Sequence, residues 1–242
     1  MSPLARVSYQ WRQRVADLRG RGVYAGYPDR CQCIFIHIPK TAGSSIVETL
    51  FGEPSRHVPY FEYEHANPGK FQRYFKFAFV RNPWDRLVST YSFLRGGGMN
   101  DLDRTWSETI MPRFGGFGDF VRGWLNEENV WSWVHFVPQT HFIVNEGGKL
   151  MVDYLGRFEN IGHDFAQVAR HLGCDLKLPK SNESVHRPYV DYYDEESREI
   201  VRKVYASDIA AFGYEFEVAT GLLKGDTQTT GATAETGAKL ET

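Results

Sequence analysis

Two apolar runs, each emptying through a polar turn into a helical pattern, constrain this chain most. The first covers residues 33–38 (Cys-Ile-Phe-Ile-His-Ile) and stops at Pro39. The second covers residues 75–80 (Phe-Lys-Phe-Ala-Phe-Val) and gives way to Arg81, Asn82 and Pro83. Runs this short and this apolar suit strands covered on both faces, as in parallel sheets. After the first, residues 44–51 read as a helix stopped by Gly52 and Pro54, the second of which cannot continue a helix. After the second, Asn82 caps and Pro83 opens a helix running to about residue 94. Strand, turn and helix, twice over, predict an α/β fold with a central, mostly parallel sheet flanked by helices.

The rest of the pattern fills in around these units. Asn67 and Pro68 repeat the cap-proline signature. Residues 141–144 and 151–155 read as strands around a turn at Gly147 and Gly148. Phe165, Val168, Ala169 and Leu172 mark a helix ended by Gly173, and Asp194 caps one long last helix carrying Ile200 through Phe212. At the other end, Val7, Trp11, Val15 and Leu18 recur at helical spacing in an Arg-rich segment, so residues 1–30 are expected to form a helical segment docked through Trp11 and Val15. A single domain is expected over residues 1–220. Residues 221–242 carry no aromatic, Val or Ile side chain. They cannot offset their ordering entropy by burial and are expected to be a disordered tail.

Charge and cysteine usage exclude several classes. Twenty-eight Lys and Arg against 30 Asp and Glu leave a net charge of −2, so there is no global basic field for nucleic acid. No stretch approaches the roughly 20 apolar residues of a membrane span, and the N-terminus has no apolar leader core. Cys31, Cys33 and Cys174 are an odd set without nearby His pairs, which argues against a disulfide framework and a zinc site. These readings together predict a soluble, cytoplasmic protein that needs no metal.

The turn after the first strand, residues 39–45, brings together Lys40, Thr41, Gly43, Ser44 and Ser45 at a helix start. A helix N-terminus presents free N–H groups and the positive end of its dipole, Gly43 lets the backbone approach a ligand, and Lys40 adds a point charge. This is not the triphosphate loop GxxxxGK[ST], because Lys40 precedes the glycine. The pattern fits a phosphate-like anion handled without a metal; the rival reading is a polar turn with an ordinary cap. Arg81 stands at the C-terminal end of the second strand, where open α/β sheets bind ligands, and Ser89 lies on the following helix. The pair can grip a phosphate, or Arg81 can form a structural salt bridge. Asp85 suits the helix start and Arg86 a local ion pair.

Taken together, residues 37–45 (His-Ile-Pro-Lys-Thr-Ala-Gly-Ser-Ser) and 79–91 (Phe-Val-Arg-Asn-Pro-Trp-Asp-Arg-Leu-Val-Ser-Thr-Tyr) resemble the sulfotransferases that use 3′-phosphoadenosine 5′-phosphosulfate. The resemblance is to the carbohydrate branch that includes heparan sulfate 2-O-sulfotransferase and bacterial relatives. It extends over residues 34–214, including residues 156–160 and 208–214. It implies a P-loop-like three-layer fold, with Lys40, Thr41, Gly43, Ser44 and Ser45 on the 5′-phosphosulfate and Arg81 and Ser89 on the 3′-phosphate. It also implies a donor used as co-substrate and a hydroxyl acceptor, favouring a saccharide. Arg187, in a donor-rich late loop with Asn182 and Tyr189, is a further candidate for the 3′-phosphate. Golgi members carry a membrane anchor and lumenal disulfides; neither pattern is evident here, which favours a bacterial-type soluble enzyme.

A general base must take the acceptor's proton, and imidazole suits that near neutral pH. Residues 64–66 (Glu-His-Ala) resemble the base position of bacterial relatives, so His65 is expected to serve, with His57 next in line and Glu62 or Glu64 behind it. His37 reads as a core or supporting residue, and His135 has no partner legible in the sequence. Gln139 is placed near nucleotide or acceptor, and Trp124, Trp131, Trp133 and Phe136 either pack in the core or stack on a flat acceptor. A metal-dependent kinase and a non-catalytic nucleotide-binding module stand as rival functions; oligomeric state and acceptor identity are not legible.

Overall fold

The computed structural model describes residues 3–179 and 187–216; the expected tail over 221–242 and Asn182 lie outside the described residues. In chain order the elements are α1 (Pro3–Leu18), α2 (Tyr27–Cys31), β1 (Cys33–Ile36), α3 (Gly43–Phe51), α4 (Tyr60–Ala66), α5 (Pro68–Arg73), β2 (Phe75–Val80) and α6 (Pro83–Arg95). There follow α7 (Asp101–Ile110), α8 (Phe117–Trp124), α9 (Thr140–Ile143), β3 (Tyr154–Arg157), α10 (Ile161–His171), α11 (Glu195–Val204) and α12 (Ala206–Phe212).

The three strands pair in parallel in the order β1-β2-β3. Cys33 lies opposite Phe75 and Ile36 opposite Ala78, while Phe77 lies opposite Tyr154 and Val80 opposite Arg157. Strand period two sorts the side chains onto two faces. Ile34, Ile36, Ala78 and Val80 pack with Tyr60, Tyr63, Phe71, Phe142 and Phe212, on α4, α5, α9 and α12. Cys33, Phe35, Phe77 and Phe79 pack with Ile46, Val47, Phe165 and Val168, on α3 and α10. Both faces are covered, which is why the strands carry no solvent-facing alternation. The fold is therefore α/β, a parallel sheet between layers of helix. A third apolar cluster, built on Trp84, Leu87, Val88, Phe120, Trp124, Phe136, Val201 and Tyr205, holds α6, α8 and α11 together.

Caps legible in the sequence form as expected. The Asn67 side chain accepts from the Lys70 N–H, the Asn82 side chain from the Trp84 N–H, and Gly52 closes α3 in the left-handed region with φ 65°. Asp194 and Ser197 close a reciprocal capping box at α11.

Three expectations are corrected. Residues 141–144 do not form a strand: Asp208, fully buried, accepts from the N–H groups of Gln139 and Thr140 at 2.8 and 2.9 Å and so caps the helical turn α9. Only Val144 and Leu150 make an isolated antiparallel bridge, and β3 starts later, at Tyr154. The last helix is split at Tyr205, whose buried hydroxyl donates to the Phe136 carbonyl at 2.8 Å and whose backbone leaves the helical region. The N-terminal helix forms but does not dock through Trp11, which is 65% exposed. Its attachment is polar. Tyr9 donates to Glu62, Arg14 donates to the His65 carbonyl, and Asp17 accepts from Lys70 and Asn67 at 2.8 Å each. Among the described residues no helix is long and apolar enough to cross a membrane.

Candidate active site

The C-terminal ends of β1 and β2 open on the same edge of the sheet, and a cleft of about 650 Å³ lies there. The turn from β1 into α3 is wound tightly: Lys40 and Ala42 both adopt left-handed backbone, with φ of 68° and 64°. Two non-glycine residues in that region cost on the order of 1 kcal/mol each, the kind of strain that persists where a ligand site requires the shape. Thr41 is fully buried and donates to the Ile38 carbonyl at 2.9 Å, which closes the turn. The turn leaves the first residues of α3 facing the cleft. Gly43 is required by crowding: a Cβ there would lie 2.0 Å from Cδ2 of His37. The Lys40 ammonium sits 4.0 Å from the centre of the Phe93 ring. Burial, with the Arg81 charge adding to it, pushes its pKa down to about 8.

Arg81 is seated rigidly. Its guanidinium Nε donates to Asp85 at 2.7 Å, Nη1 donates to the Lys40 carbonyl at 3.3 Å, and the plane stacks 3.9 Å from the centre of the Phe158 ring. Its backbone is clamped by Gln139, which is fully buried: the Gln139 oxygen accepts the Arg81 N–H and its amide donates to the Arg81 carbonyl, both at 2.9 Å. The next residue is fixed as well, since the Asn82 N–H donates to Glu159 at 2.6 Å and Tyr214 donates to the other oxygen of Glu159. Arg86 is 1% exposed and donates to the carbonyls of His135 and Val137, so it braces the far wall rather than forming an ion pair.

Three imidazoles line the same cleft. The His37 ring lies 4.3 Å from the His57 ring, and the His57 ring 5.7 Å from the His135 ring. His37 Nδ1 is 2.6 Å from the Ser55 hydroxyl. His57 Nδ1 is 2.9 Å from the His37 carbonyl oxygen. A carbonyl can only accept, so Nδ1 of His57 carries the proton and Nε2 holds the lone pair. Burial lowers the His57 pKa, partly offset by that hydrogen bond and by the charge of Asp103, so the ring is neutral at pH 7. His135 approaches Asp103 at 3.1 Å, and burial outweighs the carboxylate in lowering its pKa. Among the described residues no group of three or more His, Cys, Asp or Glu side chains is placed to hold a metal ion.

The sequence of the chain from residue 27 to residue 215 matches the model of the sulfotransferase family, a span that includes all three strands and the whole cleft. The chain belongs to the sulfotransferase family. Among its relatives, carbohydrate sulfotransferase 12 of Xenopus laevis is 25% identical over 177 residues, 62% of this chain and 42% of that protein. An uncharacterized protein of Archaeoglobus fulgidus is 28% identical over 109 residues, 45% of this chain and 75% of that one. This chain thus spans less than half the length of the Xenopus relative. No solved structure matches.

Within this sulfotransferase the structure brings together Lys40, Gly43, Ser44, Ser45, Arg81 and Ser89, which all line the cleft. Thr41 supports the turn from beneath, with its hydroxyl spent on Ile38. His65 is not brought in: it sits half-buried on α4 beside Phe61, with its carbonyl taken by Arg14. His57, second in line from the sequence, is at the cleft instead. Arg187 is exposed and lies over the Tyr192 ring, outside the cleft. Gln139 acts on the Arg81 backbone rather than projecting into the cleft, and Trp124 and Phe136 are core residues while Trp131 is 54% exposed. Asp103 was not singled out by the sequence; its partner His135 is 32 residues away, and no local spacing announces such a pair.

Proposed function

We propose that this sulfotransferase moves a sulfuryl group from 3′-phosphoadenosine 5′-phosphosulfate to an acceptor hydroxyl, leaving adenosine 3′,5′-bisphosphate. The observation that carries the reading is one cleft that holds a cationic cradle at the α3 N-terminus and a neutral imidazole with a defined lone pair. In this reading Lys40, the first N–H groups of α3 and the hydroxyls of Ser44 and Ser45 hold the 5′-phosphosulfate. Arg81 and Ser89 hold the 3′-phosphate; the guanidinium is anchored through Nε and Nη1, and Nη2 is left for the ligand.

His57, rather than His65, takes the acceptor proton at Nε2 as the acceptor oxygen bonds to sulfur. The bond from sulfur to the phosphate oxygen breaks, and the charge that collects on the leaving phosphate is met by Lys40. In-line positioning does most of the work, since no covalent intermediate with the protein is needed. The acceptor class is a saccharide, supported by the name of the Xenopus relative.

Calorimetric titration with adenosine 3′,5′-bisphosphate without a divalent cation, followed by a labelled-sulfate transfer screen across sugars, alcohols and phenols, tests the reading. Tight binding of the bisphosphate, much weaker binding of adenosine 5′-phosphate, and transfer to a sugar are expected. Equal affinity for both nucleotides removes the 3′-phosphate assignment, and binding without transfer to any acceptor favours a nucleotide-binding module.

A further inference from the structure

His57 has a chemical problem that its own hydrogen bond does not solve. Once its Nε2 has taken a proton the ring is an imidazolium, and its Nδ1 partner is a neutral carbonyl rather than a carboxylate. The groups around it are His37 at the end of β1, Lys40 in the turn before α3, and His135 with Asp103 of α7 behind it. Lys40 opposes a second positive charge, and so does burial. Asp103 acts in the other direction.

Asp103 is an expensive residue to have in this place. It is 2% exposed, and removing a carboxylate from water costs several kcal/mol unless donors replace the water. The donors are present: the Met99 N–H at 3.2 Å and the Asn100 amide at 2.9 Å serve Oδ2, and His135 Nε2 serves Oδ1 at 3.1 Å. The backbone folds closely around it, since a Cβ on Gly98 would lie 2.1 Å from the Asp103 Cβ. With Nε2–H committed to Asp103, the neutral His135 ring presents Nδ1 as a lone pair. That Nδ1 is buried and has no hydrogen-bond partner, an arrangement native proteins avoid unless the atom has a use. Around His135 the other charged groups are Lys40 and the Arg86 guanidinium, which donates to its carbonyl.

We infer that Asp103 and His135 are positioning residues for the base: a buried carboxylate, linked through the His135 ring, that balances the charge His57 acquires when it takes the acceptor's proton. The inference rests on the reading of His57 as the base. The proton leaves the acceptor hydroxyl, resides on His57 Nε2 while the oxygen–sulfur bond forms and the sulfur–phosphate oxygen bond breaks, and returns to solvent when products leave. His135 keeps its proton on Nε2 and lends its lone pair to the field seen by His57. A carboxylate behind a catalytic imidazole is a familiar solution; here it stands one ring further back.

The test separates this inference from the reading beneath it. Wild type and His57→Ala are assayed first for sulfuryl transfer; no transfer by wild type, or full transfer by the variant, rejects the base assignment itself. Asp103→Asn keeps the shape and removes the charge. Its kcat should fall about 10- to 100-fold with KM little changed. In an NMR titration of the imidazole protons, the His57 midpoint should move to lower pH relative to wild type, a shift that loss of packing alone would not give. Asp103→Glu should recover part of the rate. His135→Phe, which removes the link while leaving the carboxylate to hold residues 99 and 100, should lose kcat as well, and it carries the test if Asp103→Asn does not fold. A folded Asp103→Asn or His135→Phe with wild-type kcat and an unmoved His57 midpoint overturns the inference.

Discussion

Gly43→Ala isolates the crowding at the mouth of α3. The new Cβ would lie 2.0 Å from Cδ2 and 2.2 Å from Nε2 of His37. Ordinary carbon contacts lie at about 3.5–4.0 Å, so the ring would have to withdraw by roughly 1.5–2 Å. It has little freedom to do so: Nδ1 is held 2.6 Å from the Ser55 hydroxyl, the His57 ring stands 4.3 Å away and the Phe35 ring 5.5 Å away. Overpacking of this kind costs about 1–3 kcal/mol. At roughly 2–4 °C per kcal/mol for a domain of this size, Tm should fall by about 2–12 °C. The backbone itself has no objection, since Gly43 is not in the left-handed region and alanine is the better helix former. A double-mutant cycle with His37→Ala therefore has a defined outcome: in that background Gly43→Ala should cost nothing or be slightly stabilising. The assay is chemical denaturation of the four proteins, with sulfuryl transfer measured on each. Stability of Gly43→Ala within about 0.5 kcal/mol of wild type, or an equal cost with and without the His37 ring, refutes the argument.

Affinity for adenosine 3′,5′-bisphosphate should weaken as pH rises through about 8, where Lys40 loses its proton, and Lys40→Arg should flatten that dependence; isothermal titration from pH 6.5 to 9.5 reads it directly. In the ligand-free protein the same group has the opposite effect on folding: its depressed pKa is a penalty fully present below pH 8 and relieved between about 8 and the unfolded value near 10.4. His57→Ala should lose about 10²- to 10⁴-fold in transfer rate with nucleotide binding preserved, while His65→Ala stays active; the wild-type rate should hold to below pH 6.5, since burial keeps His57 neutral there. The reverse pattern in the two alanine variants would return the base to α4. Gln139→Leu orphans a buried N–H and a buried carbonyl of Arg81, at about 1–3 kcal/mol each, and should lower both the denaturation midpoint and nucleotide affinity; an unchanged midpoint would show the clamp to be dispensable.

The layers of the fold were legible because they rest on local signals. The strand runs, the caps at Asn67 and Asn82, and the stop at Gly52 are each set within a few residues. The cradle was legible for the same reason: Lys40, Gly43, Ser44 and Ser45 are neighbours in the chain, and Arg81 is the residue directly after β2. What failed depended on distant partners. Residues 141–144 have a strand-like composition, but a helical turn forms because Asp208, more than 60 residues on, takes the N–H groups of Gln139 and Thr140 just before them. The local sequence favoured His65, but His57 stands by the cleft, its Nδ1 on the His37 carbonyl, while His65 sits half-buried on α4 beside Phe61. Trp11 looked like a docking residue from its spacing, but the buried Asp17 with Lys70 and Asn67 decides how α1 sits.

The contact that orients His57 is made to main chain. A substitution at residue 37 can change the ring on Gly43 and the partner of Ser55, yet it leaves the carbonyl in place. The tautomer of His57 is thus insured against point mutation at its own partner and depends instead on the path of the chain as it leaves β1. Drift at this residue could reshape the floor of the cleft while the tautomer of His57 stayed fixed.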